Sequence, residues 1–171
     1  RVLIATVTAG DPPKAALSSY AQSLHNRWEL ISDAVEERRQ EDRRAADVIG
    51  ADVIHWSIPD CIYRFDHVTG RPFYTSDEEI FGDVHPKEDD LIDAIGQRML
   101  ALPPYEELFL PLCLGNHVDH RLTQAAAKRI LQSSSASNGP HVWYYEDYPY
   151  AQEIAVEEFL TTEGLANWRS R

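Results

Sequence analysis

Apolar residues gather along the chain in two patterns, short β-branched runs and longer stretches with apolar positions every third or fourth residue, and the two patterns alternate. Val2 to Thr8 is almost wholly apolar, the signature of a strand buried on both faces of a parallel sheet, and Gly10 with Pro12 and Pro13 breaks it. Tyr20, Leu24, Trp28, Ile31 and Val35, followed by Ala45, Val48 and Ile49, predict one or two helices from Ser18 onward, with Gly50 as the left-handed closing residue. Ala51 to Ile58 predicts a second strand that Pro59-Asp60 ends at the same sheet edge. Tyr63 to Pro86 holds Gly, Pro, Asp and aromatics without a clean period, and predicts a long excursion over the ligand-facing edge. Leu91 to Leu102 predicts a helix stopped by Pro103-Pro104. Glu107 to Leu114 predicts a strand, Val118 to Gln132 a helix, Ser133 to Gly139 a flexible link, Val142 to Tyr145 a fourth strand and Glu153 to Arg171 a last helix with a frayed end. Strands alternating with helices predict an α/β fold, a Rossmann-like three-layer sandwich around a mainly parallel sheet with right-handed crossovers, in one domain spanning residues 1–171.

Composition narrows the partners. A formal charge of −12, spread over stretches such as Glu36 to Arg44 and Lys87 to Asp90, forms no basic stripe and argues against nucleic acid or an anionic membrane. No stretch approaches the roughly 18 apolar residues of a membrane span, and no basic, then apolar, leader opens the chain. Cys61 and Cys113 lack CxxC spacing and sit in apolar surroundings, so reduced thiols and a cytoplasmic protein are expected. Oligomeric state stays open. The first residues fall directly into an apolar run without an initiator methionine, an opening expected of a chain that starts inside a longer protein.

Candidate chemistry concentrates in Leu110-Pro111-Leu112-Cys113-Leu114-Gly115-Asn116-His117-Val118-Asp119-His120-Arg121, which sets two histidines and a carboxylate after a buried strand, at the mouth of a helix. Imidazole is a standard zinc donor, and a neighbouring carboxylate can orient a ring. The same short cluster also suits a helix cap, with Asp119 at the positive end of the dipole, and spacing alone leaves the two readings open. His85 is the histidine elsewhere that merits a check as a substitute ligand, whereas His55, within a strand, reads as a core or sheet-face residue. There is no G-x-S-x-G elbow, no GxGxxG and no P-loop lysine, which disfavours another hydrolase class or a nucleotide-binding protein.

Gly115 to Arg121 resembles the His-x-Asp-His signature of the LmbE-like (PIG-L) N-acetylglucosaminyl deacetylases. Arg38-Arg39-Gln40-Glu41-Asp42 before Ile49-Gly50, the Pro59-Asp60 pair, and Tyr144-Tyr145-Glu146-Asp147-Tyr148-Pro149-Tyr150-Ala151 are similar, in order, to further segments of that family. The resemblance implies zinc-dependent hydrolysis of an N-acetyl amide on a GlcNAc-containing molecule, zinc or another divalent ion being the cofactor. It implies that His120 is a zinc ligand, that His117 stabilises the oxyanion or protonates the leaving amine, and that Asp119 orients the His117 or His120 ring. It also implies that Arg38 and Asp60 contact the sugar, with Glu41 steadying Arg38, although an i, i+3 pair on a helix is ordinary without any ligand. The family's Pro-His-x-Asp-Asp segment is not in the sequence, so the expected sheet lacks its first strand and the expected site lacks part of its ligand set. A competing expectation is a carbohydrate-binding relative that has lost the metal, with Trp28, Trp56, Tyr63, Phe73, Tyr74 and Trp143 to Tyr145 available to stack on sugars, though such aromatics are more often core.

Overall fold

Parallel pairing of strands far apart in sequence organises the protein in the computed structural model, which describes residues 1–14, 17–27, 34–133 and 139–152. The expected helix from Glu153, most of the link after Ser133, and Trp28 and Ile31 lie outside the described residues. Two compact units are present, Arg1–Ile80 and Phe81–Arg171.

In the first unit, strand β1 (Leu3–Thr6) pairs in parallel with β2 (Asp52–His55), in a register running from Leu3 opposite Asp52 to Thr6 opposite His55. A parallel pair needs a crossover, and helices α1 (Ser19–Arg27) and α2 (Ala34–Ile49) supply it. Helix α2 ends as the sequence predicts. Gly50 takes φ 68°, and Gly50 N–H and Ala51 N–H donate to Asp47 O and Ala46 O, so that the last carbonyls are satisfied in a Schellman closure. Asp42 on α2 clamps the strands: it accepts from Thr6 Oγ1 at 2.7 Å and meets His55 Nε2 at 3.1 Å. His55 is therefore a sheet-face residue turned toward the helix.

β2 is shorter than the expected Ala51 to Ile58 because the chain beyond His55 pairs with the loop after β1 instead. Thr8 bridges Ser57, Gly10 bridges Pro59, and Gly10 N–H donates to Ile58 O at 2.8 Å. The two loops that follow β1 and β2 thus run side by side. The excursion that starts at Tyr63 is a packed structure in its own right up to Ile80. Asp66 N–H donates to Arg71 O, Phe73 N–H to Arg64 O, a short helix α3 (Asp77–Ile80) follows, and Tyr63, Arg64, Asp66 and Tyr74 are all buried. Trp56, Tyr63 and Tyr74 are core residues, as aromatic positions usually are.

In the second unit, β3 (Glu107–Pro111) pairs in parallel with β4 (His141–Tyr145), Glu107 opposite His141 and Pro111 opposite Tyr145, and α5 (Val118–Ser133) makes the crossover. α5 packs on α4 (Asp89–Leu100) through stripes at helical spacing, Val118, Leu122, Ala126 and Ile130 against Ile92, Ile95 and Met99. Arg129 adds surface bonds of 2.7 Å to Asp89 and to Asp93. His85 serves the local backbone, since its Nδ1 accepts from Lys87 N–H at 3.2 Å and caps the turn Pro86–Glu88. Among the described residues each parallel pair is a separate two-stranded ladder. No described helix is long and apolar enough to cross a membrane.

Leu122 is fully buried on the α5 stripe, whereas Val48 on α2 is 86% exposed. Leu122→Ala is expected to cost about 2–5 kcal/mol in urea unfolding, and Val48→Ala to stay within about 0.5 kcal/mol of the parent.

Candidate active site

The second unit builds its site where β3 ends. Leu112 N–H still donates to Tyr145 O at 2.9 Å, extending the ladder by one bond, and then Cys113 takes φ 67° and turns the chain away. Asn116 N–H returns to Cys113 O at 3.0 Å, and Asn116 itself takes φ 55°. Asparagine tolerates this left-handed conformation; a cysteine there is held against a cost of about 1–3 kcal/mol. Between them Gly115 lies against the ring of Tyr150, which a Cβ at that position would overlap. Leu112 and Leu114 are buried beneath, packed against Tyr144, Tyr150 and Ala151.

This turn delivers His117 to the mouth of α5. The His117 ring caps the helix, Nδ1 accepting the Asp119 N–H at 3.3 Å. An Nδ1 that accepts is unprotonated, so the proton of the neutral ring is on Nε2. Asp119 is buried in the first turn, where the helix dipole favours a carboxylate. His120 lies one turn on, its ring centroid 5.4 Å from that of His117. Phe81 stands edge-on to His117 at 5.6 Å, and Tyr150 edge-on to both Phe81 and His120, at 5.7 and 6.1 Å, forming an aromatic rim. Asp147, just past β4, is buried and accepts the Leu114 N–H at 2.8 Å.

Burial governs the acid–base behaviour of the wall. Out of water and beside the Asp147 charge, the Cys113 thiol is pushed up to about 12. Cys113 is therefore a protonated thiol at neutral pH and a poor nucleophile or ligand. A groove of about 480 Å³ opens behind the turn, lined by residues that include Asp83, Ile92, Cys113, Asn116, Arg121 and Lys128. Arg121 there is already committed, its guanidinium donating to Gly82 O and Asp83, both at 3.0 Å.

Arg38 and Asp60 belong to the first unit and bear on one group there, the Tyr63 phenol. Burial and the Asp60 charge push that phenol up to about 12, while the Arg38 charge opposes them. The Tyr63 hydroxyl is 2.5 Å from His25 Nε2. Asp60 also caps the turn Cys61–Tyr63 by accepting from Ile62 N–H at 3.2 Å. Arg38 is exposed on α2, and Glu41 lies exposed on the same helix. Its neighbour Arg39 turns inward instead, donating to Ala9 O at 3.1 Å and pairing with Asp11 and Glu36. The structure thus gathers His117, Asp119 and His120 in one unit, and Arg38 with Asp60 in the other. Sequence reasoning missed Asp147, Tyr150, Phe81 and Arg39; only the Tyr144 to Ala151 resemblance pointed near the first two.

No protein-family profile and no curated protein matches the sequence. Solved structures do. The chain is 29% identical to a teicoplanin deacetylase in its zinc-inhibited form, with a TM-score of 0.73 over 90% of this chain and 59% of that one. It is 28% identical to a deacetylase from teicoplanin biosynthesis in complex with teicoplanin, with a TM-score of 0.71 over 90% of this chain and 62% of that one. It is also 28% identical to a deacetylase of the A40926 pseudoaglycone, with a TM-score of 0.65 over 91% of this chain and 55% of that one. The chain therefore shares the Rossmann-like α/β fold of these deacetylases and spans a little over half of their length.

Two expectations follow from the turn. Gly115→Ala should destabilise the protein by about 1–3 kcal/mol through overlap with Tyr150, and should cost markedly less in a Tyr150→Ala background, a coupling that a double-mutant cycle measures. For Cys113 the folded value lies above the ordinary 9.0, so its contribution to stability is complete below about pH 9 and is lost as pH rises toward about 12. Urea midpoints should fall across that window, and less steeply in Cys113→Ala.

Proposed function

We propose that this chain is the larger part of a metal-dependent deacetylase domain of the LmbE-like (PIG-L) family, acting on the N-acetyl group of a GlcNAc-containing molecule. The observation that carries this reading is the His117, Asp119, His120 cluster at the end of β3 and the mouth of α5, in a chain that shares its fold with deacetylases at 28–29% identity over nine-tenths of its length. Sugars on a teicoplanin-like antibiotic are the substrate class we favour, because the similar structures are deacetylases of teicoplanin and of the A40926 pseudoaglycone. Membership of one domain, and a cytoplasmic setting for two buried thiols, complete the proposal.

The donors fit a divalent ion. His120 turns Nδ1 inward, where that atom is fully buried, and keeps about a third of its side chain exposed, so the ring can present its other nitrogen outward. Catalytic zinc takes three protein ligands, and His120 supplies one. We assign the others to a Pro-His-x-Asp-Asp segment outside these residues, in keeping with the greater length of the similar proteins. A bound ion supplies Lewis acidity toward the acetyl carbonyl and a nucleophilic water at neutral pH. Zinc is the first choice, and the zinc-inhibited neighbour makes another divalent ion the natural competitor.

The chain's own residues do the remainder. With Nδ1 tied to the Asp119 amide, we assign to His117 an Nε2–H hydrogen bond to the tetrahedral oxyanion, a role that a neutral ring fills without giving up its proton. Asp119, buried beside that cap, holds the first turn of α5 and so the spacing of the two rings. Phe81 and Tyr150 set aromatic edges beside the two histidines. Arg38 and Asp60 are the groups we assign to the sugar hydroxyls.

The native polypeptide, dialysed and assayed for metal and for acetate release from an N-acetylglucosaminyl glycopeptide, should hold about one divalent ion. His120→Ala should lose both metal and activity; His117→Ala should keep the metal and lose about 10²–10⁴ in turnover. A native polypeptide that binds no divalent ion overturns the hydrolase reading and leaves a sugar-binding relative.

A further inference from the structure

Two buried polar atoms in the second unit, His120 Nδ1 and Asp147 Oδ1, have no hydrogen-bond partner among the described residues, and they belong to side chains that face each other. His120 Nδ1 is 3.6 Å from Asp147 Oδ2, outside the roughly 2.7–3.2 Å of a hydrogen bond but close enough for a small movement to make one. Asp147 is 1% exposed, and a carboxylate so placed demands donors. It has one already, the Leu114 N–H at 2.8 Å, which anchors it to the turn. A second donor that can reach it without rebuilding the backbone is a proton on His120 Nδ1, by a small rotation of the ring.

From this geometry we infer that Asp147 is a positioning residue that fixes His120 as the Nδ1–H tautomer and so leaves the Nε2 lone pair to face outward. The isolated neutral ring has no such constraint, and a ring protonated on Nε2 could not donate an electron pair from that atom. Asp147 would act on His120 while touching neither substrate nor metal. The inference deepens the proposed function, because a ring held this way is a better ligand, but it concerns the metal-free protein and stands or falls separately.

The register of the second sheet explains why the carboxylate is there. Pro111 opposite Tyr145 brings the residues after β3 and the residues after β4 to the same edge, so position 147 lies beside the turn that leads to His117 and His120. Ala151 N–H donates to Asp147 O at 3.0 Å and holds the following turn, which carries Tyr150 edge-on to the His120 ring. The ring is thus bounded by a buried carboxylate and an aromatic edge.

The test reads the tautomer directly by long-range ¹H–¹⁵N correlation of the metal-free protein at about pH 9, where an imidazole of ordinary pKa is neutral. The expected spectrum has His120 protonated on Nδ1 in the parent protein. In Asp147→Asn, which keeps an oxygen for Leu114 N–H but offers His120 an amide donor, the proton should move to Nε2. A parent His120 protonated on Nε2, or on both nitrogens, overturns the inference, as does a tautomer unchanged in the variant. Should Asp147→Asn fail to fold, the parent spectrum alone decides. Zinc titration separates the two claims: a ligand role for His120 predicts affinity about 10–100-fold weaker in Asp147→Asn. A tautomer that switches without any zinc binding keeps the positioning role and removes the metal reading.

Discussion

The parallel register of β3 and β4 is the constraint on which the candidate site depends. In a parallel pair both strands end at the same edge, so whatever follows each strand must share that space. Here the ladder runs to Leu112 N–H and Tyr145 O, and within two residues Asp147 accepts the Leu114 N–H. That one bond joins the turn after β3 to the turn after β4. The left-handed residues Cys113 and Asn116 then aim the chain into α5, and Gly115 allows the Tyr150 ring to close over it. A register shifted by one residue would turn every side chain of the strand to the opposite face and separate Asp147 from the loop it holds.

The first unit follows the same logic with less committed chemistry. Asp42 of α2 reaches both strands, and Arg39, three residues earlier on the same face, reaches the loop after β1. Arg38 and Glu41, each one residue back, fall on a face rotated by about 100° and are exposed. The Arg-x-x-Glu spacing and the Arg39-x-x-Asp42 spacing are identical in sequence. Only burial against the strands tells which pair organises the loop and which stays on the exposed face of the helix.

That difference marks how far the sequence is legible. β-branched runs and three-to-four spacing foretold β1 to β4 and the long helices, because periodicity is a local property imposed by a buried face. Ends were less legible: β2 stops at His55 since Ser57 and Pro59 pair with Thr8 and Gly10, partners that no window around residue 58 contains. His117, Asp119 and His120 stood out because all three lie within one helical turn. Asp147 did not, for its partners are Leu114 and His120, about thirty residues away, and nothing local distinguishes a buried acidic residue after a strand from a solvated one. Tyr63 to Ile80 read as an open loop because its pattern has no period, yet its bonds are those of a small folded excursion closed by the Phe65 and Pro72 bridge.

Two histidines three residues apart on one helix mouth are chemically equivalent until their surroundings make them different. His117 accepts a backbone N–H at Nδ1, a bond that only the unprotonated nitrogen can make, and its proton goes to Nε2. His120 faces a carboxylate at Nδ1, 3.6 Å away, which only a protonated nitrogen could satisfy, and on the inference above its lone pair goes to Nε2. On that reading one ring is a hydrogen-bond donor and the other an electron-pair donor, both at Nε2. Amide hydrolysis at a metal needs one of each, a ligand and a hydrogen-bond donor for the developing charge. The proposed division of labour therefore rests on two neighbours of the rings, the Asp119 amide and the Asp147 carboxylate. The first comes from helix capping and the second from strand register, so the chemistry of the pair is a consequence of how the second unit folds.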